Sequence, residues 1–254
     1  MIATIDHNGK TIRVDLNKPL DISIPFSPDG PRAWYVDKMK ISPVVNQHFT
    51  GSVRLGGAVN FRNISFNPHG HGTHTESFGH ISPKVESVND CVKDFFFMAK
   101  LITITPEKND SNDGWIKTGD LIITKEQIAF ALGNDQPEAL VIRTMPNELS
   151  KRNKNYSDTN FAYFAPDALR HLAEKKMQHL LVDLPSVDRE SDGGKLLAHH
   201  AFWNYPQNPR TECSITEFVF VPDEIPDGNY LLNLQFAPFE NDASPSRPVL
   251  FGIL

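Results

Sequence analysis

Cysteine is nearly absent from this chain: Cys91 and Cys213 are the only two in 254 residues. Two lone cysteines build no disulfide framework, and a reducing, cytoplasmic setting is the expectation. No apolar run approaches the roughly 20 residues that a membrane-spanning helix needs, so no membrane partner is expected. Met1–His7 has neither the basic start nor the apolar stretch of a secretory leader. Positive charge is scarce as well. The 25 Lys and Arg face 31 Asp and Glu, and a net charge of −6 argues against a nucleic-acid partner. The densest basic cluster, Lys151-Arg152-Asn153-Lys154, reads as a solvated loop. Internal repeats, low-complexity tracts and clean linkers are missing too, so one domain over residues 1–254 is the simplest organisation.

What is present has the pattern of an α/β protein. Ala3–Asp6 and Thr11–Val14 alternate in polarity around Asn8-Gly9 and predict a hairpin. Residues 17–65, rich in Pro, Gly and Asn, predict loops and short strands. Phe95–Ile104, Ala139–Thr144 and Leu180–Leu184 are apolar runs that predict buried strands. Between them, Thr124-Lys-Glu-Gln127 is a capping box opening a helix to Leu132. Pro166–Met177 predicts an amphipathic helix, with Leu169 and Leu172 on one face. Strand–helix–strand alternation with short links implies parallel pairing. A helix over Gly194–Trp203 and strands over Ile215–Val221, Tyr230–Phe236 and Val249–Ile253 complete the expectation. The result is a mixed central β-sheet flanked by helices.

The chemistry concentrates in one segment. Asn67-Pro-His-Gly-His-Gly-Thr-His-Thr-Glu-Ser-Phe-Gly-His80 holds four of the chain's ten histidines and a glutamate within fourteen positions. One histidine in a glycine-rich loop is usually just exposed and polar. Four with a carboxylate point to a divalent metal, because imidazole and carboxylate suit zinc, manganese and iron. His74 and Glu76, two apart, share a side wherever the backbone is extended, as do His69 and His71. His71-Gly-Thr-His74 also occurs around the catalytic histidine of subtilisin-like proteases. This chain lacks both the Gly-Thr-Ser-Met-Ala nucleophile segment and the upstream Asp segment of that triad, so the protease reading is excluded.

The segment resembles the signature His-x-Gly-Thr-His-x-Asp-x-Pro-x-His of the cyclase family of metal-dependent hydrolases, which includes bacterial kynurenine formamidase and isatin hydrolase. Gly72-Thr73-His74, the acid at 76 and His80 fall in register. Ala168–Lys175 followed by Leu181–Asp188 is similar to the family's helix and its strand ending in Asp-x-x-Ser-x-Asp. Leu196–Trp203 is similar to its later histidine helix. Ile215–Glu217, followed by Asp227–Tyr230, is similar to its glutamate-bearing segment.

The resemblance implies a cyclase-like, swivelling β/β/α fold and a small-molecule substrate. It also implies one or two divalent ions (Zn2+ or Mn2+) and a homodimer or higher homo-oligomer. It makes His74 and Glu76 metal ligands, with either His69 or His71 standing in for the family histidine whose place Gly70 takes. His199 (or His200) and Glu217 (or Glu212) are the ligands it implies from the second half. His80 is implied as the general base in hydrolysis of an amide-type C–N bond, in an arylformamide or a cyclic amide, by metal-activated water. A lactone hydrolase, or a non-catalytic metal or small-molecule binder on the same fold, is the alternative. Asp183, Ser186 and Asp188, at the end of a predicted strand, suit a ligand site or a structural turn equally.

Overall fold

The Asn8-Gly9 turn works as expected. In the computed structural model, which describes residues 1–112, 114 and 116–254, β1 (Ile2–His7) pairs antiparallel with β2 (Lys10–Asp15). Asn8 and Gly9 take φ of 47° and 75°, the left-handed pair that matches the twist of a two-residue hairpin. The Pro- and Gly-rich stretch then yields β3 (Leu20–Asp21), a 3-10 turn at Val53–Leu55 and an arm formed by β4 (Lys40–Pro43) and β5 (Arg62–Ser65), whose strands are exposed at every position. Beyond the arm lie β6 (His74–Glu76), buried at all three residues, and the single turn α1 (Val88–Cys91).

The apolar runs become sheet. β7 (Phe96–Ile104) is followed by two short strands, β8 (Glu107–Lys108) and β9 (Leu121–Ile123). α2 (Lys125–Leu132) opens on the reciprocal Thr124–Gln127 capping box. Then come β10 (Ala139–Thr144), buried throughout, and β11 (Tyr163–Phe164). α3 (Pro166–Glu174) starts on Pro at its first turn and buries Ala168, Leu169 and Leu172. After it come β12 (His179–Val182), α4 (Leu197–Trp203), β13 (Ser214–Glu217), β14 (Gly228–Asn233), β15 (Ala243–Pro245) and β16 (Val249–Gly252).

Among the described residues, nine strands form one mixed sheet in the order β15-β6-β13-β12-β10-β7-β14-β16-β3. Its centre, β13-β12-β10-β7, is parallel, and both flanks are antiparallel. The central strands are apolar in unbroken runs because both faces are covered. α3 packs on α4 and α2 over the main core, and the hairpin β1–β2 covers Leu231 and Phe251 through Val14. No helix among the described residues is long and apolar enough to cross a membrane.

Several elements are shorter than their apolar pattern. α3 stops at Glu174 because Lys176 takes φ 60°, and α4 starts late because Gly193, Gly194 and Leu196 are all left-handed. β13 ends at Glu217, where Phe218 turns to φ 55°.

Candidate metal centre

β6 is the keel of the site. It lies between β13 and β15, with His74 opposite Glu217 on one side and Glu76 opposite Ala243 on the other. Strand alternation sends His74 and Glu76 to one face and Thr75 to the other, where its hydroxyl pairs with Thr216 Oγ1 at 2.8 Å. Thr73 anchors the entry to β6 by accepting from Ile24 N at 2.6 Å. The chain then turns at once: Ser77 Oγ accepts from Gly79 N and opens the 3-10 turn Phe78–His80. Residue 79 has to be glycine, since a Cβ there would lie 2.6 Å from Glu86 N. This turn brings His80 back over Glu76.

Four imidazoles and four carboxylates meet here. Glu76 has His199 Nε2 at 3.1 Å from Oε1, with His69 Nδ1 at 3.1 Å and His80 Nδ1 at 3.9 Å from Oε2. Glu217 has His74 Nε2 at 3.4 Å and His199 Nε2 at 3.8 Å, and accepts from Val187 N at 3.2 Å. Asp188 Oδ2 accepts from His199 Nδ1 at 2.5 Å. Asp242 Oδ2 accepts from His69 Nε2 at 2.9 Å and has His80 Nδ1 at 3.4 Å. Three overlapping triads each bring ligand-type atoms within 4.8 Å of one another: His69–His74–Glu76, Glu76–His80–His199 and His69–His80–Asp242.

Two atoms at the centre are sealed from solvent without a hydrogen bond, His74 Nε2 and Glu76 Oε2. Their neighbours, Glu217 Oε2 and His69 Nδ1, lie close without the alignment of a bond. Buried polar atoms are otherwise almost always paired. A nitrogen lone pair and a carboxylate oxygen left over at one point are what a cation satisfies, so these residues fit a divalent metal.

The protons tell the same story. Burial alone would raise the Glu76 carboxyl, but the charge of His80, the hydrogen bond from His199 and the nearby His69 ring hold it well below the usual range. Burial would depress His69 and His199. Asp242 and Glu76 lift His69 to about 10, and Asp188 and Glu76 lift His199 well above an ordinary imidazole. Glu217 is pushed up by burial and by the charge of Glu76. The raised His69 and His199 imidazoles thus offset the buried carboxylates beside them. A divalent ion held by these atoms would take the place of such protons, because metal and proton compete for one lone pair.

The structure brings together His69, His74, Glu76, His80, His199 and Glu217. It does not bring His71. That ring points away from the cluster: Nε2 donates to Asp37 O at 2.7 Å and Nδ1 accepts from Asn67 N at 3.0 Å. Both nitrogens are consumed by backbone, so His71 is corrected from candidate ligand to loop anchor. His200, one residue around the helix from His199, donates through Nδ1 to Tyr205 O on the outer side of α4, and Glu212 is exposed in a turn. Asp183 is held by Lys151 and Thr144, and Ser186 Oγ accepts from Asp188 N. Asp188, equally suited to a turn by its sequence, backs His199. Asp242 carried no signal in sequence, since a single acid in Phe239-Glu-Asn-Asp242 marks nothing until β15 pairs with β6.

Known proteins share the fold of this chain. The family model Cyclase, described as "Putative cyclase", matches residues 20–189. Among solved structures, a "predicted metal-dependent hydrolase" from Bacillus stearothermophilus is 22% identical, covering 92% of this chain and 98% of its own, with a TM-score of 0.62. A "potential metal-dependent hydrolase with cyclase activity" is 21% identical over 92% of this chain and 97% of its own, with a TM-score of 0.65. An isatin hydrolase bound to the product analogue thioisatinate is 15% identical over 93% of each chain, with a TM-score of 0.63. At these identities the likeness is one of fold.

Proposed function

The chain belongs to the Cyclase family, and from that premise we propose that it is a metal-dependent hydrolase that opens an amide-type C–N bond in an arylformamide or a cyclic amide. The observation that carries this reading is the pair of unsatisfied, buried ligand atoms, His74 Nε2 and Glu76 Oε2, amid the histidine–carboxylate cluster. His69, His74, Glu76, His199 and Glu217 would hold one or two divalent ions, Zn2+ or Mn2+ by the chemistry of their donors. When bound, such an ion supplies a Lewis acid that polarises a carbonyl and makes water more acidic.

The chain's own groups handle the protons. His80 has the most exposed side chain of the four imidazoles, at 29%, against 19%, 2% and 0% for His69, His199 and His74. It is therefore the one that substrate reaches. Its Nδ1 faces Asp242 and Glu76, which leaves Nε2 as the atom that takes the proton of the attacking water. As the C–N bond breaks, the same Nε2 returns that proton to the departing nitrogen, and the products are a carboxylate and an amine. The isatin hydrolase likeness supports a cyclic amide, and N-formylkynurenine represents the arylformamides.

The test is metal analysis of protein purified without added salts, then turnover of isatin, N-formylkynurenine and a lactone with and without chelator. Bound transition metal with chelator-sensitive amide hydrolysis supports the proposal. Turnover of the lactone alone redirects it to ester chemistry, and metal without any turnover identifies a binding protein.

A homo-oligomer accompanies this reading. The β4–β5 arm exposes Ile41, Phe49, Phe61 and Ile64, and a two-stranded ribbon with no buried face is marginal by itself. A second copy covering the arm relieves that exposure. A cytoplasmic setting suits Cys91 and Cys213, which are unpaired and buried.

A further inference from the structure

We infer that Asp242 is the positioning residue that makes His69 serve as the ligand which Gly70 cannot supply. The inference rests on the metal reading above and goes beyond it, to how this chain keeps a complete ligand set.

A side chain at position 70 would have to displace Val36. A Cβ there would stand 2.7 Å from Val36 Cγ2, and the backbone is pinned on both sides, Gly70 N donating to Asn67 Oδ1 at 3.1 Å and Gly70 O accepting from Ala33 N at 3.2 Å. The neighbouring imidazole, His69, reaches the cluster instead. It presents Nδ1, the ring nitrogen nearer the backbone, at 3.1 Å from Glu76 Oε2. A ring entering from one residue earlier needs an external hold on its orientation, and Asp242 supplies it: Nε2 donates to Asp242 Oδ2 at 2.9 Å.

The arrangement repeats the one at His199. There Nε2 lies 3.1 Å from Glu76 Oε1 while Nδ1 donates to Asp188 Oδ2 at 2.5 Å. Each oxygen of Glu76 thus faces one nitrogen of an imidazole whose other nitrogen is held by a carboxylate. A histidine whose far N–H is fixed in this way has a set tautomer and a set ring plane, with its inward lone pair free for a metal.

Asp242 is well placed for the task. Its carbonyl accepts from Ser77 N at 2.9 Å, Asn241 O accepts from Val88 N at 2.9 Å, and Ala243 is paired with Glu76 in the β15–β6 ladder. The carboxylate therefore sits immediately before the strand that is bonded to β6. The same Oδ2 lies 3.4 Å from His80 Nδ1, and the His69 and His80 rings face each other at 4.2 Å and 31°. One carboxylate sets both the substitute ligand and the exposed imidazole.

The experiment measures Zn2+ affinity by chelator competition, and the absorption spectrum of the Co2+-loaded protein, for wild type, Asp242→Asn, His69→Ala and the double variant. Thermal melts confirm that each is folded. Asp242→Asn is expected to lower Zn2+ affinity by about 10- to 100-fold and to shift the Co2+ spectrum. Adding Asp242→Asn to His69→Ala should cost nothing further, because the carboxylate acts through that ring. Asp242→Glu should recover part of the affinity. Wild-type affinity and spectrum in Asp242→Asn would overturn the inference while leaving the metal reading intact, as would losses that multiply in the double variant. Failure of the wild type to bind Zn2+ or Co2+ would overturn both.

Discussion

Replacing Asp188 with alanine tests whether the site is built into the stability of the fold. Asp188 accepts three hydrogen bonds: from Ala198 N at 2.7 Å, His199 N at 3.1 Å and His199 Nδ1 at 2.5 Å. The first two are free donors in the first turn of α4, whose own N-cap residue, Leu196, offers no side-chain bond. Losing such a cap costs about 1 kcal/mol. Leaving a buried imidazole donor unsatisfied costs roughly 1–3 kcal/mol more. Asp188→Ala should therefore destabilise the chelator-treated protein by about 2–4 kcal/mol, read from urea denaturation at pH 7. Asp188→Asn keeps an acceptor for the helix and should cost about half as much.

The effect has a sign in pH. His199 and the two backbone donors overcome burial and hold the Asp188 carboxyl below its usual 3.8. A depressed carboxyl stabilises fully above the unfolded value and loses that contribution as pH falls through the folded one. The gap between wild type and variant should thus narrow in acid, below about pH 4. A variant within about 0.5 kcal/mol of wild type at pH 7 would refute the argument that α4 is capped from the far side of the site.

Other substitutions separate the histidines. His74→Ala should abolish metal retention measured by elemental analysis, whereas His71→Ala should keep it and lose only about 1–2 kcal/mol of stability from its backbone bonds. His179 is buried against Phe97 and Ser214 Oγ, and burial depresses it to about 3. The unfolded chain then binds the extra proton between roughly pH 6.5 and 3, so stability should fall with acid across that window, by up to about 1.4 kcal/mol per pH unit. His179→Leu should flatten that slope in urea titrations. Phe61→Asp with Ile64→Asp on the arm should shift sedimentation toward a single copy, and an unchanged profile would remove the arm from the interface.

The sequence foretold this molecule unevenly, for physical reasons. Ala139–Thr144 and the Thr124 capping box were legible because composition and local hydrogen bonding alone determine them. β6 and β15, three residues each, are too short for any periodicity, and they exist through pairing with β13 and with each other. The early end of β13 at Phe218 is a backbone twist that no apolar count reveals. His74, Glu76 and His80 stood out by density and register. The choice of His69 over His71 waited on Asp37 and Asn67, whose backbone groups claim the second ring. Asp242 was invisible because its meaning is a long-range contact, 173 residues from His69.

The position of β6 between β13 and β15 also sets a timetable. A chain growing from its amino terminus produces His69, His74, Glu76 and His80 early. Their strand has no partner until residues 214–217 and then 243–245 emerge. Until then the segment lacks the strand pairings that fix the spacing of its histidines. The cluster is held together only once β13 and β15 are both paired with β6. A truncation before Asp242 is therefore expected to forfeit metal retention even if the central parallel strands still assemble.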